Sequence, residues 1–271
     1  MRSIEGFRAA EGRFGSNGRV TDAPPAVRRP GLRLRLGLAA AIGIAIAAYY
    51  ALSDQLGELS LWGDTAFIAL VLMPAVFALV YLALPFRRAH GLALLAAAFV
   101  VLAAVLQAAG LEAAANFAKL AAMTAFAFWF LGYFEKLWWV VLVAALIPFI
   151  DSYSVWRGPT RHIVDEQREV FTTLSFAFPV PGEHGSANLG LPDLLFFALF
   201  LAAAVRWRLR VFWTWFAMVL SFGATMAIAV WGDVGGLPAL PGISIAFLAV
   251  NADLIWKELR VRRRAVTTGP A

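Results

Sequence analysis

Leu146-Ile147-Pro148-Phe149-Ile150-Asp151-Ser152-Tyr153-Ser154-Val155-Trp156 closes a long apolar run with an acid inside it. A soluble core rejects such a residue, and a bilayer rejects it more strongly. A carboxylate at membrane depth costs about 2.5–3.5 kcal/mol on insertion scales. A second acid stands in Asn188-Leu189-Gly190-Leu191-Pro192-Asp193-Leu194-Leu195-Phe196-Phe197. An acid kept at such depth is a functional candidate, and two of them point to a shared site.

The surroundings of both stretches are those of a membrane protein. Of 271 residues, 61% are hydrophobic, against about half in a soluble domain. Several apolar runs reach the roughly 20 residues a helix needs to cross a bilayer core. They are continuously apolar and do not alternate, which excludes a β-barrel. The expected fold is all-α, a polytopic bundle of about eight transmembrane helices. The spans are placed at about 33–53, 65–85, 90–110, 112–134, 136–156, 189–206, 210–231 and 238–256. Trp62, Trp138, Trp139, Trp156, Trp207 and Trp231 fall near span ends, where interfacial aromatics belong.

Residues 1–32 are rich in Gly, Pro and Arg and read as a disordered basic tail. Residues 33–134 form an N-terminal four-helix half. Residues 135–257 form the half that carries both acids, with an extracytoplasmic loop at 157–188. A basic tail at 258–271 ends the chain. Cysteine is absent, which removes thiolate chemistry and Cys-ligated metals. His90, His162 and His184 lack ligand spacing, and no metal or cofactor is implied. The net charge of +6 sets topology and does not call for nucleic acid.

Orientation follows from the basic residues. With the N-terminus inside, the inner segments hold 19 of the 23 Lys and Arg residues: the tail up to Arg35, Arg87-Arg88, Lys136, Arg206 to Arg210, and the end from Lys257. The loop 54–64 carries Asp54, Glu58 and Asp64 and no basic residue. Both ends are therefore expected in the cytoplasm. The abundance of Ala and of Arg over Lys points to a GC-rich prokaryotic genome, hence a multi-pass protein of a prokaryotic plasma membrane. Asp151 lies 15 residues beyond Lys136, and Asp193 lies 13 residues before Arg206. At 1.5 Å per residue both stand about 20 Å above the inner face. Pro238-Ala239-Leu240-Pro241 opens the last span from the same outer side.

Two carboxylates held close together share a proton, because like charge opposes the second ionisation. One then takes a proton from water as it attacks an amide carbonyl. The other, protonated, hydrogen-bonds the carbonyl oxygen. Singly, each feature has a plainer reading: Asp151 ends a span, Asp193 follows a proline at a helix start, and prolines commonly open spans.

Together the three stretches resemble the presenilin and signal peptide peptidase family of intramembrane aspartyl proteases. That family carries Tyr-Asp, Gly-x-Gly-Asp and Pro-Ala-Leu at the corresponding places of three successive motifs. Asp151, followed by Ser154-Val155-Trp156-Arg157-Gly158-Pro159, is similar to the first. Gly190-Leu191-Pro192-Asp193 is similar to the second and Pro238-Ala239-Leu240 to the third. The resemblance covers about residues 136–256. It departs at Ile150, where the family has tyrosine, at Pro192, where it has glycine, and in showing eight spans instead of nine. It implies catalysis by Asp151 and Asp193, with transmembrane-helix substrates or signal-peptide remnants. Gly190, Leu191, Pro192, Pro238, Ala239 and Leu240 would line the substrate site.

The loop adds a reading of its own. Arg161 to Glu169 is charged and reads as a short surface helix. Phe171 to Gly182 reads as an edge strand ending in proline. An exposed edge accepts an unwound peptide by strand addition, with Phe176 and Phe178 as contacts. Asn116, Lys119 and Gln107 lie inside spans and are expected to pair within the bundle. Two other readings fit the acids. One is a proton-coupled transporter or channel, with the prolines marking broken helices. The other is a catalytically inactive relative that binds membrane proteins, motivated by Pro192.

Overall fold

The structure, a computed structural model, describes residues 31–157, 175–183, 185–232 and 237–267. Helix α1 spans Leu32–Leu52 and α2 spans Leu61–Phe67. A π turn at Ile68–Leu72 joins α2 to α3, Met73–Ala83. Then follow α4 (Leu92–Ala108), α5 (Glu112–Phe130) and α6 (Leu137–Arg157). Two short strands, β1 (Ser175–Pro179) and β2 (Ser186–Gly190), precede α7 (Leu191–Arg206), α8 (Val211–Trp231) and α9 (Leu240–Thr267).

The helices stand where the apolar runs predict them. Six stretches among the described residues are long and apolar enough to cross a membrane: Leu32–Gln55, Leu61–Arg88, Glu112–Tyr133, Leu137–Ser154, Val211–Trp231 and Leu240–Arg260. Two of the eight expected spans fall short. Helix α4 has 17 residues and α7 has 16. At 1.5 Å per residue α7 is only about 24 Å long. Every residue from Phe197 to Ala204 is fully buried, and α7 packs on α5, α6, α8 and α9. A helix apolar on all sides is either enclosed by protein or bathed in lipid, and α7 is enclosed by protein.

The described residues from Leu32 onward belong to one compact unit, in which α5 lies along α7 and both α3 and the π turn lie against α8. Phe77 of α3 stands 4.1 Å from the Phe197 ring and 5.0 Å from the Phe222 ring, centroid to centroid. Such pairs add about 0.5–1.5 kcal/mol each beyond the area they bury. Gly223 brings α8 onto the π turn, where a Cβ would stand 3.2 Å from the Ala69 Cβ. One expectation changes. Asp64, read as a loop acid, is buried in the first turn of α2, where a helix start favours an acid. Helix α9 runs to Thr267, ten residues into the expected basic tail. The charged segment 161–169 and the tail 1–30 lie outside the described residues.

The strands form an antiparallel hairpin in the register Ser175↔Gly190, Ala177↔Asn188 and Pro179↔Ser186. Pro181-Gly182 make its turn. Gly182 has φ +73 and its N–H donates to the Ser53 carbonyl at 2.8 Å. A Cβ there would stand 2.7 Å from the Glu58 backbone nitrogen, so only glycine lets the turn sit on the loop after α1.

Candidate active site: the aspartate pair

Helix α6 shows why Asp151 faces inward. Leu137, Val140, Ala144 and Ile147 are its buried residues. Their spacing of three and four residues marks one stripe along the helix, and Asp151 is the next position on it. Leu146, Phe149, Ile150 and Tyr153 are exposed on the other sides. Ile150 is 66% exposed, so the tyrosine of the resembled motif would point outward here, away from the stripe that carries Asp151. Pro148 sits inside the helix, one turn before the acid. It frees the carbonyl four residues back from its usual partner.

Asp151 does not merely end a span. The Leu240 N–H donates to its Oδ2 at 3.2 Å. Leu240 is the first residue of α9, so the carboxylate sits at a helix N-terminus, where unpaired N–H groups and the helix dipole favour negative charge. The third motif therefore reaches the first through backbone. Pro238 and Ala239 are half-buried beside it, and Leu240 is buried.

Asp193 occupies the first turn of α7. Gly190 before it is extended, at φ −61 and ψ 142. Its Cα lies under the acid: a Cβ at 190 would stand 3.3 Å from Asp193 Oδ2. Pro192 sits in the first turn of the helix, at N1/N2. There a missing N–H costs nothing, because that N–H has no partner within the helix. The second departure from the motif is thus compatible with the same helix start. The two acids lie within electrostatic reach of each other. Two helix starts, α7 and α9, and the inward stripe of α6 converge on them.

The expected strand exists, but its roles shift. Phe176 and Phe178 are 2% and 0% exposed. They anchor the hairpin in the core and offer no surface to a guest. The expected open edge of β1 is covered. Asn116 of α5 accepts from the Ala177 N–H at 3.3 Å and donates to its carbonyl at 3.4 Å. Lys119 Nζ donates to the Ser175 carbonyl at 3.0 Å, Tyr49 to that of Pro179 at 2.7 Å, and Tyr50 to that of Ala177. The open edge belongs to β2, which was not anticipated. Ser-Ala-Asn-Leu-Gly has neither β-branched residues nor a clear alternation, and only its neighbour β1 makes it a strand. Asn116 and Lys119 were legible as polar residues inside a span. Their partners, 61 and 56 residues away, were not.

At the opposite end of α7 from Asp193, Asp253 pairs with Arg210 at 2.6 Å. Asn251, fully buried, donates to Thr214 Oγ1 at 2.8 Å and accepts from the Arg210 N–H at 3.0 Å. These contacts join the start of α8 to α9, with the length of α7 between them and Asp193.

The chain matches no protein-family model, and no curated protein matches it.

Proposed function

We propose that the chain is an intramembrane aspartyl endopeptidase of the presenilin and signal peptide peptidase type. It cleaves peptide bonds within transmembrane segments or signal-peptide remnants. The observation that carries this reading is the convergence of Asp151 and Asp193 at two helix starts, with the open edge of β2 running straight into the second. Gly190 ends that strand, and Asp193 follows three residues later.

The chemistry needs only the two side chains and water. One carboxylate takes a proton from water, whose oxygen bonds to the amide carbon. The partner, carrying a proton, hydrogen-bonds the carbonyl oxygen. Collapse of the tetrahedral species breaks the C–N bond and hands a proton to the leaving nitrogen. The products are a carboxylate and an amine. A helical substrate hides its carbonyls in its own hydrogen bonds, so it must unwind first. Pairing its extended stretch with β2 replaces the lost bonds. In this reading both chain ends are cytoplasmic and the site opens toward the outer side, as the charge pattern argues.

The test is cleavage of a single-span peptide by the purified protein in detergent. Activity should vanish in Asp151→Asn and in Asp193→Asn, and a transition-state inhibitor of aspartyl proteases should block the parent. Cleavage that persists in either mutant rejects the assignment.

A further inference from the structure

A two-stranded hairpin has two outer edges, and either one can recruit a guest strand. Here the two edges are unlike. Ala177 uses its N–H and its carbonyl on Asn116, so it bonds nothing in β2. In an antiparallel ladder the hydrogen-bonded pairs are then Phe176↔Leu189 and Phe178↔Ala187. Ser175, Ala177 and Pro179 turn their backbone outward on the β1 side. All three carbonyls are taken, by Lys119, by Asn116 with Tyr50, and by Tyr49. Pro179 has no N–H to offer.

On the opposite side, Ser186, Asn188 and Gly190 turn outward from β2. The Asn188 side chain donates to the Ser186 carbonyl at 3.3 Å. Among the described residues no group meets the Asn188 backbone N–H or carbonyl. This edge continues into Gly190 and Asp193.

The occupants of the β1 edge are costly ones. Lys119 is 6% exposed, and a cation at membrane depth is retained where it has a task. An asparagine amide offers one acceptor and one donor in the spacing of a peptide group. It can therefore complete a ladder without being a strand.

We propose that α5, through Asn116 and Lys119, and α1, through its tyrosines, act as a side-chain substitute for a third strand on β1. The hairpin then admits an extended peptide only along β2, the edge that leads to Asp193. These are positioning residues: they close the unproductive edge and touch neither the reacting atoms nor the acids. The inference rests on the endopeptidase reading for the identity of the guest, the unwound stretch of a membrane-spanning substrate.

Opening the β1 edge creates a second, sterile place for that stretch. A substrate that divides between a productive and an unproductive mode loses kcat and KM in equal proportion, and kcat/KM stays constant. Structural damage instead lowers kcat/KM. Asn116→Leu, Asn116→Asp and Lys119→Met should each reduce kcat and KM together, by about two-fold where the edges bind equally. Asn116→Asp keeps the acceptor for the Ala177 N–H and loses the donor, so it should show the smaller effect.

A second measurement needs no turnover. The chain has no cysteine, so single cysteines report cleanly. In full-length Asp193→Asn protein, Ser186→Cys marks the β2 edge and Ala177→Cys the β1 edge. A single-span peptide with one cysteine in its unwound stretch is then oxidised onto each. The expected result is cross-linking at 186 alone, with 177 becoming reactive once Asn116 or Lys119 is replaced. Reaction at 177 with the clamp intact overturns the proposal. So does silence at 177 in all clamp variants while 186 still reacts. Silence at 186 in every protein removes strand delivery itself, and with it this inference, whatever the fate of the endopeptidase assay.

Discussion

Asp151 holds the start of α9 and is also proposed to act on water, and substitution separates the two roles. The Leu240 N–H donates to Oδ2 at 3.2 Å. Asparagine at 151 keeps an oxygen in that place and is itself a good helix cap. Leucine keeps the volume and removes every acceptor. A hydrogen bond to a charged group contributes about 1.5–3 kcal/mol, and a donor left without a partner costs about the same. Asp151→Leu should therefore lose about 2 kcal/mol and Asp151→Asn less than about 1 kcal/mol. For a chain of this size 1 kcal/mol moves Tm by about 2–4 °C. Thermal unfolding in detergent should then place the leucine variant about 4–8 °C below the parent and the asparagine variant within about 3 °C. Peptide cleavage should be lost in both. A stable Asp151→Asn protein that still cleaves would reduce Asp151 to a cap. An Asp151→Leu protein as stable as the parent would deny the bond to Leu240 any weight.

Three further outcomes follow from named contacts. Gly182→Ala forces a methyl group to within 2.7 Å of the Glu58 backbone and holds alanine in the left-handed region, at about 1 kcal/mol or more; the hairpin should lift from the α1 loop, seen as faster exchange of the position-182 amide that otherwise donates to the Ser53 carbonyl. Asn251→Leu leaves the buried Thr214 hydroxyl without its amide donor, and should cost about 1–3 kcal/mol, read as a fall in Tm. Pro192→Gly restores the residue of the resembled motif; cleavage should persist, with a stability loss of about 0.5–1 kcal/mol from the more mobile unfolded chain.

Much of the bundle was legible because lipid and protein interior both demand apolar residues, and length alone then marks a helix. That same equivalence hid the centre. Nothing in Leu194 to Val205 tells a helix bathed in lipid from one wrapped in protein, and α7 is the latter. The site was legible in part. Asp151, Asp193 and Leu240 stand out as acids and a proline-flanked start in apolar sequence, and the structure brings Asp151 to Leu240 directly. The hairpin was half legible. Phe176 and Phe178 read as strand, but their burial depends on a partner strand with no signal of its own. The cover of β1 was hidden because Tyr49, Tyr50, Asn116 and Lys119 meet it only across long stretches of chain.

The enclosure of α7 has a consequence for the membrane around it. Hydrocarbon thickness differs between membranes, and a helix that touches lipid must tilt, stretch or thin the bilayer to match. Helix α7 touches none along its middle, so its seat is set by neighbouring side chains alone. Any mismatch falls on the outer helices first, and the acid at the head of α7 feels it only through them.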